Sequence, residues 1–312
     1  MTLHISNLSK RYANNWVLRD VSLSVEKGSV LGILGPTGSG KSTLLKILAG
    51  REKPTPEEAV IPTHGRTMAL CEINERSGPR WPFSFKKANP LSRIDALDQS
   101  LKNATDILLL DDPLIGVDGE LRDEYLDRIR KLTSEHALTV VYATTDFETA
   151  ATVSDRIAVL SGSYIQQAGT AVELYESPVS TTVAKITGRC NIMQARRLTS
   201  TKFDIPEFQT LNGVHRLFAE KADIGRLGAI NRDVSLAIRP ESISMSFGAS
   251  FPEDNLLKAT VTGIRFLGPV TLVELDADGL HLNALVFRLV GLNIGQDCML
   301  GLPPDRIKVL KD

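Results

Sequence analysis

The residues Gly35-Pro36-Thr37-Gly38-Ser39-Gly40-Lys41-Ser42, with Thr43 behind them, are those whose types and spacing speak most directly of chemistry. They spell Gly-x-x-x-x-Gly-Lys-Ser. The glycines let the backbone turn with its N–H groups pointing inward around an oxyanion. The ammonium of Lys41 then reaches the outer phosphates of a nucleotide, and the hydroxyl of Ser42 is a Mg2+ ligand. A helix opening at Lys41 adds the positive end of its dipole. A glycine-rich turn that merely matches the pattern is the plain alternative, and context decides between them.

Downstream, Ile107-Leu108-Leu109-Leu110 is closed by Asp111 and Asp112. In phosphate-loop ATPases an acid at the end of such a strand holds Mg2+, usually through water. Acids also cap strands with no catalytic purpose, so this pattern gains its meaning from the loop upstream.

The elements needed to position these residues can be read from periodicity. Val30–Leu34 is an apolar run suited to a strand buried on both faces of a parallel sheet. Ser42–Ala49 reads as a helix, with Gly50 placed to end it. Residues 51–90 carry many prolines and read as loop, with one strand near Thr67–Cys71. Helical spacing returns from Ser92 through Ala104 and again from Leu121 through Leu132. Leu138–Ala143 is a buried strand, Thr149–Ser154 a short helix, and residues 157–166 a hairpin. This alternation predicts an α/β P-loop NTPase domain with a largely parallel sheet over residues 1–190. Residues 191–232 read as a linker and the start of a second domain. Short strands separated by Gly, Pro and Asp from 233 to 312 predict a small all-β, barrel-like domain.

The bulk properties narrow the setting. A chain of 312 residues has room for about two domains. A net charge of −1 gives no general positive field, so nucleic acid is not expected as a partner. Cys71, Cys190 and Cys298 lie far apart, which suggests neither a zinc site nor a disulfide framework. The first residues do not read as a signal peptide, and no apolar run approaches the roughly 20 residues that span a bilayer. A cytoplasmic location is expected.

On these residues the chain resembles the ATP-binding subunits of ABC transporters, of the importer type with a C-terminal TOBE, or OB-like, β domain. Gly35–Thr43 is similar to the Walker A segment, and Asp106–Pro113 resembles Walker B. Leu8-Ser9-Lys10-Arg11-Tyr12 resembles the aromatic loop, in which Tyr12 would stack on adenine. Gly116-Val117-Asp118 resembles the D-loop. Asp155–Leu160 and Gly169–Tyr175 resemble the strand and helix that follow in the family. Ile238-Arg239-Pro240-Glu241, Phe266-Leu267-Gly268 and Gly301–Asp305 resemble landmarks of the β domain. The resemblance implies ATP and Mg2+ as ligands, with Ser42, Asp111 and a Q-loop residue aligned at Glu72 near the metal. It also implies transmembrane permease subunits and a second ATP-binding subunit, the same or different, as partners. The location would then be peripheral, on the inner face of the membrane.

The chain departs from the family where ATP is hydrolysed. The Leu-Ser-Gly-Gly-Gln signature should fall near Lys87-Ala88-Asn89-Pro90-Leu91, yet no Gly-Gly pair occurs in the sequence. Only about 40 residues separate Gly50 from that position, too few for the usual helical subdomain. The catalytic glutamate is replaced by Asp112, shorter by one methylene. A misplacement of about 1 Å can lower a rate on the order of 100-fold. The switch histidine is replaced by Thr145, which has no titratable ring. Three readings remain open at this point: an ATP-binding importer subunit with impaired or partner-dependent hydrolysis, a fully active transport ATPase, and an ATP-dependent regulatory or solute-sensing protein.

Overall fold

The structure is a computed structural model, and it describes residues 3–55, 68–71, 90–103, 106–202, 205–222, 224–247, 255–287 and 291–311. Two compact units divide the chain, Met1–Glu176 and Ser177–Asp312.

The first unit begins with an antiparallel hairpin of β1 (Leu3–Tyr12) and β2 (Asn15–Val25). Alternate residues of β1 and β2 are buried, so one face of the hairpin contributes to a core. There follow β3 (Val30–Leu34), α1 (Lys41–Leu48), β4 (Met68–Cys71), α2 (Pro90–Asn103), β5 (Ile107–Asp111), α3 (Gly119–His136), β6 (Thr139–Thr144), α4 (Phe147–Val153), β7 (Arg156–Ser161), β8 (Tyr164–Gly169) and α5 (Ala171–Glu176). Six of the strands form one sheet in the order β4-β5-β6-β3-β7-β8. Its pairings are parallel except for the β7–β8 hairpin.

The continuous apolar runs are explained by this placement. β3 and β6 are buried throughout, because both faces of the sheet are covered. Ile33, Leu109 and Val141 pack with the β1–β2 hairpin and Leu44, Leu45 and Leu48 of α1. Leu108, Leu110, Val140 and Tyr142 point the other way, toward Leu97 and Leu101 of α2 and Tyr125, Leu126 and Ile129 of α3. Period-two alternation along the strands thus sorts their side chains between two cores.

One short helix begins earlier than its periodicity suggests. α4 starts at Phe147 because Asp146 caps it, accepting a hydrogen bond from the Thr149 backbone N–H at 2.9 Å. The strand expected near Thr67–Cys71 is β4; the remainder of the proline-rich stretch outside 51–55, 68–71 and 90 falls outside the described residues.

The second unit holds α6 (Thr181–Ile186), β9 (Asn191–Leu198), β10 (Glu207–Thr210), β11 (Arg216–Phe218), α7 (Ile224–Leu227), β12 (Asp233–Ile238), β13 (Ser244–Ser246), β14 (Asn255–Phe266), β15 (Thr271–Ala277), β16 (Leu280–Val286), β17 (Asp297–Leu302) and β18 (Lys308–Leu310). They form two five-stranded antiparallel sheets, β11-β10-β9-β12-β18 and β13-β17-β14-β15-β16. Both sheets feed one apolar core that includes Met193, Phe208, Leu236, Leu257, Val273, Leu282 and Leu300. The second unit begins at Ser177, ahead of the stretch 191–232 read as a linker and the start of a second domain. β9 lies at the centre of its sheet, paired with β10 on one side and β12 on the other. The reason is that β9 and β12 need each other's backbone groups, whatever their distance in sequence.

Candidate functional site

The three parallel strands β5, β6 and β3 end side by side. Leu34 pairs with Thr144, and Ala143 pairs with Asp111. The loop after β3, the acids ending β5 and the threonines ending β6 therefore share the carboxyl edge of the sheet, where open α/β folds bind ligands. Backbone bonds tie these ends together. Gly35 N–H donates to the Thr144 carbonyl at 3.3 Å, and Asp112 N–H donates to the Ala143 carbonyl at 2.9 Å.

The loop from Gly35 to Gly40 is shaped by steric need. A Cβ on Gly35 would lie 2.2 Å from the Leu160 carbonyl oxygen and 2.7 Å from Ser39 Oγ. Gly40 has φ 104°, and a Cβ there would meet the Val17 carbonyl at 2.8 Å. No other residue fits these two positions without displacing backbone. Gly40 is also the N-cap of α1, so the helix opens onto the loop without a side-chain cap. The Ser39 hydroxyl is buried inside the loop and has no hydrogen-bond partner among the described residues. Pro36, Thr37 and Gly38 are exposed.

Lys41 is buried, and its Nζ donates to the carbonyls of Gly35 at 2.8 Å and Pro36 at 3.0 Å. The ammonium is thus folded against the loop it belongs to. Burial pushes its pKa below the ordinary lysine value, while the neighbouring Asp112 and Asp111 carboxylates pull it back up. Ser42 and Thr43 follow in the first turn of α1, Ser42 exposed and Thr43 half-buried.

Asp112 has φ 47°, in the left-handed region that aspartate tolerates better than most residues. This turn brings its carboxylate under β6, where Thr144 Oγ1 donates to Oδ1 at 3.1 Å. Burial raises the Asp112 pKa above the usual aspartate value. The Thr144 hydroxyl, the Lys41 ammonium and the Thr145 backbone N–H oppose the rise, and Asp111 adds to it. Thr145 itself is exposed and meets Asp112 through its backbone. The side chain that engages Asp112 is therefore that of Thr144, which sequence alignment passes over in favour of its neighbour. Motif spacing carries no signal for it: β6 is buried throughout and ends at Thr144, whereas Thr145 lies just past the strand and is exposed.

Tyr12 lies at the end of β1 and is 44% exposed. Its phenol donates to Glu52 Oε1, and Thr43 is also within hydrogen-bonding contact of the hydroxyl. The loop, Tyr12, Asp111, Asp112 and Thr145 are thus all placed by one unit. Glu72 lies outside the described residues, as do residues 87–89 of the expected signature position. Asp118 is exposed and is the N-cap of α3.

The donor set suits a nucleotide with Mg2+. A buried ammonium, a glycine-rich turn and a helix N-terminus are complementary to a polyphosphate. Mg2+ takes oxygen ligands and keeps several waters, and an exposed Ser42 hydroxyl with the Asp111 carboxylate offers that chemistry. Among the described residues no three His, Cys, Asp or Glu gather to cage a metal alone.

This combination of strand, phosphate loop, helix and acidic strand end defines a P-loop nucleotide-binding domain. The family model described as ABC transporter matches residues 18–178, and the TOBE domain model matches residues 236–310. The chain belongs to the ABC transporter family, with an ATP-binding domain followed by an all-β TOBE domain. It is 30% identical to a spermidine/putrescine import ATP-binding protein of Rubrobacter xylanophilus, over 91% of this chain and 86% of the relative. That alignment runs over 334 positions, more than the 312 residues of the chain, so it requires gaps here. A trehalose/maltose import ATP-binding protein of Thermococcus litoralis is 27% identical over 84% of each chain. A sulfate/thiosulfate import ATP-binding protein of Bacillus cereus is 26% identical over 99% of this chain and 98% of its own. No helix among the described residues is long and apolar enough to cross a membrane.

Proposed function

We propose that the chain is the ATP-binding subunit of an ABC-type importer, and that it holds Mg-ATP firmly while depending on a second ATP-binding subunit for hydrolysis. The observation that carries the binding half is the loop: Lys41 buried against Gly35 and Pro36, with the orphaned Ser39 hydroxyl inside the turn. Lys41 and the loop N–H groups hold the phosphates, Tyr12 receives the base, and Ser42 with Asp111 holds Mg2+. Glu72, aligned with the Q-loop, belongs to the same proposal. Bound Mg2+ neutralises phosphate charge and fixes the phosphate oxygens.

Partner dependence rests on what the sequence lacks. The family's signature presents a helix N-terminus and backbone N–H donors to the γ-phosphate bound by the opposite subunit. This chain has no Gly-Gly pair to form such a loop, and Pro90 at the corresponding stretch has no N–H to give. An intact partner supplies the donors to this chain's loop, while the reciprocal site lacks them. Asp112 serves as the base toward water; it remains beside Lys41 and bonded to Thr144, which supports retained but weakened chemistry. The shortened helical subdomain and an altered contact with the permease rest on the roughly 40 residues between Gly50 and the signature position. The relatives' names span polyamines, sugars and sulfur oxyanions, so the solute is set by the permease and binding protein rather than by this subunit. Its place is the inner face of the membrane, held by those partners.

Isothermal titration with Mg-ATP tests the reading. Hydrogen bonds to charged groups are worth about 1.5–3 kcal/mol, so Lys41→Ala should weaken binding roughly 10- to 100-fold. Equal affinity in wild type and Lys41→Ala would refute it.

A further inference from the structure

A side-chain cluster of Lys10, Tyr12 and Glu52 gathers at the end of the β1–β2 hairpin. Tyr12 donates its phenolic hydrogen to Glu52 Oε1. The same oxygen lies 3.2 Å from Lys10 Nζ. That ammonium stands 5.1 Å from the centroid of the Tyr12 ring and donates to the Lys53 carbonyl at 2.7 Å. The ring is thus held by a cation near its π-system and by a carboxylate at its hydroxyl, and at 44% exposure it still has surface for an aromatic partner.

Glu52 is delivered by the helix that carries the phosphate loop. α1 ends in a Schellman arrangement, with Gly50 at φ 68°, Gly50 N–H on the Ile47 carbonyl and Arg51 N–H on the Lys46 carbonyl. Glu52 N–H joins the Lys46 carbonyl at 3.3 Å. One helix, about 12 Å long for its eight residues, therefore sets the loop at its start and the Tyr12 anchor just past its end. The other aromatic of the hairpin, Trp16, is committed elsewhere: Arg11 and Arg19 flank its ring at 5.6 and 5.5 Å.

We propose that Glu52 and Lys10 are positioning residues that lock the Tyr12 ring in the orientation that stacks on a nucleotide base, an inference that rests on the ATP-binding reading above. An unclamped tyrosine at a hairpin end would be ordered only when the base arrives, and that ordering would be lost from the affinity. Here the protein fold orders it beforehand. Stacking accepts any base face, so the clamp contributes to base recognition in general rather than to the choice of adenine.

The test compares Mg-ATP with magnesium tripolyphosphate, which has the phosphates and no base, by calorimetric titration of the full chain. Glu52→Ala should weaken Mg-ATP about 2- to 10-fold, the ordering of one side chain, and leave tripolyphosphate unchanged. Glu52→Gln, which still accepts from the phenol, should restore the Mg-ATP affinity. In a Tyr12→Ala background Glu52→Ala should have no further effect. Equal weakening of both ligands, or losses that add in the double variant, would overturn the clamp while leaving ATP binding intact. If wild type binds neither ligand, the binding reading falls and the clamp falls with it.

Discussion

Asp112 carries the most informative conflict among individual residues. Its carboxyl is held in a partly buried place that disfavours its charge, despite the Thr144 hydroxyl and the Lys41 ammonium. A carboxyl whose folded pKa lies above its unfolded value costs stability where both states are ionised, above the folded pKa. That cost disappears as pH falls through the folded pKa toward the unfolded one. Asp112→Asn keeps an acceptor for Thr144 and removes the charge. Its melting temperature should exceed wild type at about pH 8, and the advantage should shrink as the pH falls toward the carboxylate range. A lower melting temperature at about pH 8 would mean that Lys41 outweighs burial. The sequence made Asp112 and Lys41 visible through motif spacing. It did not show Thr144 as the contact, because that depends on β6 ending at the buried Thr144 while Thr145 lies just past it, exposed. Nor did it show Glu52, whose role depends on how α1 ends.

Among the elements, β3, its loop and α1 form the unit on which binding depends. Their identity was readable because an apolar run, a glycine pattern and a helical period follow one another directly. Their tolerance was not readable, because it depends on β7 lying alongside. The Leu160 carbonyl stands where a Gly35 side chain would begin. Gly35→Ala should therefore lower stability by about 1–3 kcal/mol in urea denaturation, through overpacking against backbone. A variant of unchanged stability would show that the loop yields to the added methyl. Gly38→Ala meets no atom within 4 Å, so any cost there comes from its φ of 81° alone. The strands β9 to β11 were less legible. β10 and β11 span only four and three residues, and β9 completes its pairing only with the later β12, so local pattern alone reads the stretch as a linker and the start of a second domain.

Taken whole, the molecule joins two units with separate cores, one around a parallel sheet and one around two antiparallel sheets. On the proposed function, the first unit keeps the groups that would grip a nucleotide and differs from the family pattern at those that would cleave it. The absence of a Gly-Gly pair, with Asp112 and Thr145 at the aligned positions of the sequence, supports that proposal. Phosphate release from Mg-ATP tests the resulting claim most directly, measured for the purified chain alone and mixed with an ATP-binding subunit that carries an intact signature. The chain alone should bind ATP with little release of phosphate. Release should rise in the mixture beyond the partner's own rate, and Asp112→Asn in this chain should remove the rise. Full turnover by the chain alone, or a mixture no faster than the partner, would contradict it.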